Sequence, residues 1–373
     1  MRVKKLCIKA DIGKFLLVAL FTACGCAATP KSSEKHLGAQ RLVESFAREG
    51  KSPGLAVSVG CNGKLLWSHG TGFADLEQRV PVSPEFTKFR VGSVAKPFTA
   101  FALARLIENN QIELDASIRN YVPTFPEKGD KISIRQLAGH LGGVRHYQGN
   151  EPYLRTRYSD VISGLEIFED DPLVVTPRER WAYTSYGYNL LSAAMEVAAE
   201  QPFLRLMDEM VFDPIGMKGT VADDLEKVIL NRGRYYRFDA NGYANEPEVD
   251  NSYKWASGGF LSTTDDMVRF GLAHFDDRFL KPETVANLWT TLKTNDGQPT
   301  GYGLGWRIVK DEDGIVWFGH GGGSIGGTSQ FWLFPENGLV LAAAANVTEL
   351  NYGLFMVELR DYFFGLEECQ KGS

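Results

Sequence analysis

The sequence has little of what metal-binding and nucleic-acid-binding proteins require. Its five cysteines contain no CxxC pair and its six histidines contain no HExxH motif, so the sequence predicts no metal site. Acidic residues outnumber basic ones, and the formal net charge of −6 at pH 7 argues against a nucleic-acid partner held by charge. No internal repeat is present. What remains is a globular chain of 373 residues, long enough to bury a large core.

Two glycine-rich patterns that would indicate other chemistries fail on their context. The segment 321–326 formally matches GxGxxG, but a strand-like Gln-Phe-Trp-Leu-Phe run follows it instead of a helix, which excludes a dinucleotide-binding loop. The segment 320–323 matches the HGGG phrase of lipases, which should precede a GxSxG elbow. No GxSxG occurs anywhere, so an α/β-hydrolase is excluded. The sequence therefore predicts no cofactor.

The N-terminal residues follow the order basic, apolar, small that is typical of an export signal. The apolar run 15–21 is shorter than the roughly 20 residues that a membrane-spanning helix needs. We therefore expect residues 1–23 to be a signal peptide and the protein to be exported to the cell envelope or periplasm. The basic residues that precede the apolar run are Arg2, Lys4, Lys5, Lys9 and Lys14.

The small residues around Cys24 resemble the signal of a bacterial lipoprotein, in which that cysteine is lipidated and becomes the new N-terminus. A lipidated Cys24 would attach the protein to a membrane, and the polar residues 24–38 would form a tether. Simple secretion, with cleavage after Ala27 or Ala28, is the alternative.

Export would also place the remaining cysteines in an oxidising compartment. Such a compartment permits a disulfide between Cys61 and Cys369, although nothing in the sequence demands one.

Strand patterns occur at both ends of the chain, with helical patterns between them. Apolar residues 55–59 and 65–67 flank an Asn-Gly pair, which is a strong hairpin signal. Apolar residues at three- and four-residue steps predict helices over 93–109, 187–199 and 264–275. Strand patterns return after residue 300, and a helix closes the chain.

This order predicts an α+β fold in which one antiparallel sheet is assembled from both termini and flanked by helices. The sheet-containing α/β region would comprise residues 39–95 and 300–373. Residues 96–299 would form a mainly helical region beside it.

The segment from Gly92 to Lys96 contains the strongest candidate for nucleophilic chemistry. If Ser93 opens a helix, Lys96 lies three residues on and therefore on the same face. A serine hydroxyl needs a group that accepts its proton, and a lysine can serve if burial and the helix N-terminus lower its pKa. The backbone N–H groups of the same terminus could stabilise an oxyanion.

Two further motifs follow in the chain, Tyr183-x-Ser185 and His320-x-Gly322. With Ser93-x-x-Lys96, they stand in an order that resembles the serine β-lactamase-like family of class C β-lactamases, D,D-peptidases and esterases. The resemblance covers residues 39–365. It implies the β-lactamase/transpeptidase-like fold, and the phrase His-x-x-Gly-Val-Arg-His-Tyr at 140–147 resembles the mitochondrial β-lactamase-like serine proteins.

The resemblance also implies roles for the site residues. Ser93 would attack a carbonyl and become acylated, while Lys96 would help to hold and move its proton. Tyr183 would be the general base, as a phenolate or through Lys96, and later the acid for the leaving group. The N–H groups of Ser93 and Gly323 would form the oxyanion hole.

Two positions depart from the family's usual residues, and both belong to substrate binding. Ser185 stands where relatives commonly have an asparagine, and that asparagine orients an amide of the substrate. His320, followed by Gly322, stands where relatives commonly have a lysine, and a histidine is neutral much of the time at pH 7. Recognition of a substrate carboxylate by this motif is therefore expected to be weak. A purely structural role for His320 is the alternative.

We therefore expect an envelope serine hydrolase that acts through an acyl-Ser93 intermediate on ester, amide or D-amino-acid peptide bonds. Its partner would be a small-molecule or peptide substrate with a carbonyl centre. Two alternatives remain open: a weakly active or inactive binding or scaffold protein with the same fold, and a low-activity β-lactamase.

Overall fold

The computed structural model describes residues 30–369. Ten α-helices are α1 (Pro30–Glu49), α2 (Ala95–Glu108), α3 (Ile134–Ala138), α4 (Tyr186–Ala199), α5 (Phe203–Met207), α6 (Asp213–Ile215), α7 (Trp255–Gly258), α8 (Thr264–Ala273), α9 (Pro282–Leu288) and α10 (Gly353–Phe363) in this range. The strands of the same range are β1 (Gly54–Cys61), β2 (Lys64–Asp75), β3 (Val80–Pro81), β4 (Phe89–Arg90), β5 (Val221–Ala222), β6 (Tyr236–Asp239), β7 (Gly242–Asn245), β8 (Phe260–Ser262), β9 (Arg307–Lys310), β10 (Val316–Ser324), β11 (Gly327–Phe334) and β12 (Leu339–Ala345). None of the helices in the described range is long and apolar enough to cross a membrane.

The main sheet joins the two ends of the chain, as the sequence predicts. Its seven strands lie in the order β3-β2-β1-β12-β11-β10-β9, and the pairs between them are antiparallel. The junction is the pairing of β1 with β12, in which Leu55 lies opposite Ala345 and Cys61 opposite Leu339. Both strands are buried along their whole length because helices cover both faces of the sheet. The predicted α+β architecture is therefore confirmed.

The two faces of the sheet belong to two separate hydrophobic cores, which follows from the two-residue period of a strand. On one face α1 and α10 cover the sheet, and on the other α8 lies across β1 and β12. Along β12, alternate side chains contribute to each core. Those on the α1–α10 side are Leu339, Leu341, Ala343 and Ala345, and those on the other side include Val340 and Ala342.

The helical part of the molecule is built around α2. This helix is buried on nearly all sides, from Ala95 to Leu106, and contacts α4, α5, α7 and α9. Its first turn meets the sheet at β10. A helix that is apolar all round has to lie inside a domain. The N-terminus of α2 therefore lies where the sheet meets the helical part.

Two boundaries differ from the sequence-based expectation. Residues 24–38 were expected as a tether, but α1 begins at Pro30 because Ala39, Val43 and Ala47 recur every four residues and pack on the sheet. The region 96–299 contains strands as well as helices: β8 pairs with β4 and β5, and β6 with β7 form a hairpin. The predicted signal peptide and Cys24 lie outside the described residues.

A disulfide joins Cys61 at the end of β1 to Cys369 near the C-terminus, with the two Cα atoms 5.3 Å apart. The two cysteines are 308 positions apart in the sequence, so the loop that they close includes nearly the whole fold. The cross-link therefore holds the segment after α10 against the end of β1.

Replacing both cysteines, as Cys61→Ala/Cys369→Ala, should lower the free energy of unfolding by about 2–5 kcal/mol, because the unfolded chain loses a cross-link that closes a very long loop. Denaturant unfolding of the double variant measures this loss, and wild-type protein with a reductant should match it. Free thiols in the native wild-type protein, or an unchanged transition, would contradict the disulfide.

Candidate active site

The serine of the first motif lies in a tight turn that two glycines make possible. Ser93 is the middle residue of the 3₁₀ turn Gly92–Val94, which leads directly into α2. Gly92 has a φ of +50°, and a Cβ atom there would lie 2.6 Å from the backbone nitrogen of Gly323 on β10. At Gly322 a Cβ atom would collide with the carbonyl of Val91. Glycine is therefore required on both sides for the Ser93 turn to lie against β10.

Three of the predicted residues come together at the hydroxyl of Ser93. The Nζ of Lys96 lies 3.0 Å from Ser93 Oγ, and the Oη of Tyr183 donates to the same oxygen over 2.8 Å. Ser93 is partly exposed, whereas Lys96 is fully buried. A substrate can thus reach the hydroxyl from outside while the amine stays out of water.

The amine of Lys96 is held in surroundings that favour its neutral form. Burial, followed by the positive charges of Lys254 and Arg307, lowers its pKa well below that of an ordinary lysine. Its Nζ also contacts the carbonyl of Ser257 at 2.9 Å and Ser185 Oγ at 3.3 Å. A neutral amine at this position can accept the proton of Ser93.

The phenol of Tyr183 is held in the opposite state. Burial raises its pKa above that of an ordinary tyrosine, so the hydroxyl is protonated at neutral pH and donates to Ser93. Of the two roles that the sequence leaves open, the phenolate base is therefore disfavoured. The arrangement favours Lys96 as the base and Tyr183 as a proton donor.

The side chain of His320 is fully engaged with the protein. Its Nδ1 lies 2.6 Å from the carbonyl of Gly321 and its Nε2 lies 3.0 Å from Tyr302 Oη. Burial and the charge of Lys96 lower its pKa well below the ordinary histidine value, so the ring is neutral. Neither nitrogen is left to bind a substrate. The expected substrate contact of His320 is thus not supported, and the ring instead joins β10 to Tyr302.

Ser185 is also engaged within the protein, next to the amine of Lys96. It is buried, its Oγ faces the amine of Lys96, and its backbone N–H donates to His146 Nδ1 over 3.1 Å. The backbone N–H of Thr184 donates in the same way to His140 Nδ1 over 3.3 Å. These two histidines therefore act structurally, by orienting the segment that carries Tyr183 and Ser185.

The predicted oxyanion hole draws on two adjoining segments. The N–H of Ser93 belongs to the first turn before α2, and the N–H of Gly323 belongs to β10, which lies directly beside Gly92. Both groups are therefore near the nucleophile, as an oxyanion hole requires.

Sequence reasoning missed three residues that lie around this site: Lys254, Arg307 and Tyr147. The charges of Lys254 and Arg307 act on Lys96, and the side chains of Ser185 and Ser257 lie next to the hydroxyl of Tyr147. A signal for Lys254 did exist, since it is a lone charge in the apolar stretch 253–261. Nothing local indicates Arg307, which reaches the site through sheet pairing of β9 with β10.

Comparison with known proteins shows the family of the chain. The sequence matches the beta-lactamase family model over residues 39–354, which is most of the chain. The chain belongs to the beta-lactamase family. The resemblance drawn from the three motifs is thereby confirmed, and with it the β-lactamase/transpeptidase-like fold.

Three relatives illustrate the breadth of the family. The mitochondrial serine beta-lactamase-like protein LACTB of Homo sapiens is 30% identical over 390 residues, which cover 79% of this chain and 71% of LACTB. A D-aminopeptidase of Brucella anthropi is 27% identical over 320 residues, covering 82% of this chain and 58% of that protein. The structure of a D-amino acid amidase from Ochrobactrum anthropi superimposes with a TM-score of 0.77 at 21% identity, over 88% of this chain and 97% of the amidase.

Proposed function

We propose that this member of the beta-lactamase family is a serine hydrolase that forms an acyl-Ser93 intermediate on ester, amide or D-amino-acid peptide bonds. The observation that carries the proposal is the meeting of a buried amine and a phenol at one hydroxyl, with Lys96 Nζ and Tyr183 Oη 3.0 and 2.8 Å from Ser93 Oγ. This geometry combines a proton acceptor and a proton donor at the nucleophile.

In the proposed acylation, Ser93 gives its proton to the neutral amine of Lys96 as its oxygen bonds to the substrate carbonyl carbon. The negative charge that develops on the carbonyl oxygen is stabilised by the N–H groups of Ser93 and Gly323. The bond to the leaving group then breaks, and the leaving group takes a proton from the hydroxyl of Tyr183. Protonated Lys96 then returns a proton to Tyr183. Water then attacks the carbonyl carbon of acyl-Ser93, and the proton transfers run in the reverse order. The acyl group leaves as a carboxylic acid, and Ser93 regains its proton.

The names of the relatives support the substrate class. The D-aminopeptidase and the D-amino acid amidase act, by their names, on bonds made by D-amino acids, and we extend this bond type to the present chain. His320 is engaged with Tyr302, so the position of the family's common lysine offers no cation to a substrate. We therefore expect β-lactamase activity to be weak. The inactive scaffold is the less favoured alternative, since Ser93, Lys96 and Tyr183 are all present and in contact.

We also propose that the protein acts outside the cytoplasm. The disulfide between Cys61 and Cys369 supports this location, since such bonds persist in oxidising compartments. The N-terminal pattern of residues 1–23 and the candidate lipidation site at Cys24 remain predictions from the sequence.

A fluorophosphonate probe and a fluorescent penicillin test the proposed nucleophile. The purified protein should be labelled by the fluorophosphonate at Ser93, as mapped by mass spectrometry, and Ser93→Ala should not be labelled. Lys96→Met should be labelled at least about 100-fold more slowly, because the proton acceptor is lost. Labelling by the penicillin as well would support cell-wall-type substrates.

The matched control is Ser68→Ala, which removes an exposed hydroxyl on β2 and should label as the wild type does. If the folded wild-type protein takes up neither probe, the hydrolase proposal fails and the scaffold alternative takes its place.

Tyr183→Phe should separate substrates by their leaving groups. An amine leaves only when protonated, so hydrolysis of an amino-acid p-nitroanilide should fall by about 100-fold or more. A p-nitrophenyl ester, whose leaving group departs as an anion, should lose much less. Rates for the two substrates give the comparison, and Tyr153→Phe, which alters an exposed tyrosine, is the control. Equal losses on both substrates would contradict a proton-donor role for Tyr183.

A further inference from the structure

Lys254 has a buried side chain with an unpartnered amine. It ends the 3₁₀ turn Ser252–Lys254 directly before α7, and only 5% of the residue is exposed. Its Nζ lies 5.6 Å from the ring centre of Tyr147 and 5.2 Å from that of Tyr253. Within residues 30–369, no carboxylate lies within 4.0 Å of this nitrogen and no acceptor forms a hydrogen bond with it.

Two cations, Arg90 and Lys96, interact electrostatically with Lys254. Burial, followed by the charge of Arg90, lowers the pKa of Lys254 to about 7, and the charge of Lys254 in turn lowers the pKa of Lys96. The carboxylate of Asp223 also acts on Lys254 but forms no ion pair with its amine within residues 30–369, and its Oδ2 accepts from Arg90 Nε over 2.7 Å and from Asn251 Nδ2 over 2.6 Å. A buried cation that no carboxylate contacts costs free energy, which an anionic ligand in contact with it would recover.

The backbone fixes Lys254 to the catalytic residues. The carbonyl of Lys254 accepts from Ser257 Oγ over 3.2 Å, and the carbonyl of Ser257 contacts Lys96 Nζ over 2.9 Å. Tyr147, whose ring lies under the amine of Lys254, has its hydroxyl next to the side chains of Ser185 and Ser257. Tyr147 therefore lies next to the amine of Lys254 and also next to the two serines that contact the amine of Lys96.

We propose that Lys254 binds a carboxylate of the substrate, so that the preferred substrates are carbonyl compounds with a negative charge close to the scissile bond. The inference rests on the proposed acyl-Ser93 chemistry and adds the charge of its substrate. It assigns the carboxylate contact to a residue other than His320, whose ring is neutral and fully engaged. Substrates with a free ammonium group at the same position would be repelled.

Arg307 is the rival cation. It lies on β9, and its side chain is exposed. An exposed guanidinium is solvated by water and gains little from a counter-ion, whereas the buried amine of Lys254 gains much. Lys254 is therefore the better candidate for the carboxylate site.

Two pairs of esters that differ only in charge test the proposal. Mono-p-nitrophenyl glutarate and p-nitrophenyl valerate vary the acyl half, and 3-carboxyphenyl valerate and phenyl valerate vary the leaving group. In the wild type, kcat/KM should favour the anionic member of one pair by about tenfold to 100-fold, the range for one hydrogen bond to a charged group. Lys254→Met should abolish that preference, and Arg307→Met should retain it.

The ratio within a pair cancels any change that Lys254→Met makes to Ser93 itself, and the fluorophosphonate probe reports separately on the nucleophile. No labelling of wild-type Ser93 would defeat the proposed function. Labelling without a charge preference in the wild type would overturn only the assignment of Lys254. A preference that survives Lys254→Met, or that is lost in Arg307→Met alone, would overturn it as well.

Discussion

The proposed chemistry depends on one arrangement: the amine of Lys96 is kept out of water while it contacts the hydroxyl of Ser93, which a substrate can reach. A lysine in solution is charged at neutral pH and cannot accept a proton from serine. Complete burial, reinforced by the charges of Lys254 and Arg307, lowers the pKa of Lys96 and makes the neutral amine available. The chemistry proposed for Ser93 has this desolvation as its physical basis.

The fold supplies that desolvation by enclosing the first turn of α2 on several sides. From α7, carbonyl oxygens bind the helix: Ser257 contacts the Lys96 amine, and Ala256 accepts from Thr99 Oγ1 over 2.7 Å. From the sheet, the bare backbone of β10 lies against the Ser93 turn, which requires glycine at Gly92 and Gly322. The sheet and the helices thus both contribute walls to the same small space.

Local spacing made part of this predictable. Three-residue spacing places Ser93 and Lys96 on one helix face, and the Asn-Gly pair after Cys61 sets the first hairpin. Partners distant in the chain were not predictable. The Tyr302 contact of His320 arises from folding of the C-terminal strands, and the approach of Lys254 depends on how α7 packs on α2. The polar first turns of α1 hid the apolar stripe that makes this segment a helix instead of a tether.

The pH dependence of fluorophosphonate labelling at Ser93 tests the central claim most directly. The probe does not titrate, so the rate should follow the fraction of Lys96 that is neutral. Because the pKa of Lys96 is lowered, the account predicts that labelling rises with pH through a midpoint well below 10.5, the ordinary lysine value, and is constant above it. A rate that rises only at or above 10.5 would show that Lys96 is held as a cation, and would contradict the account.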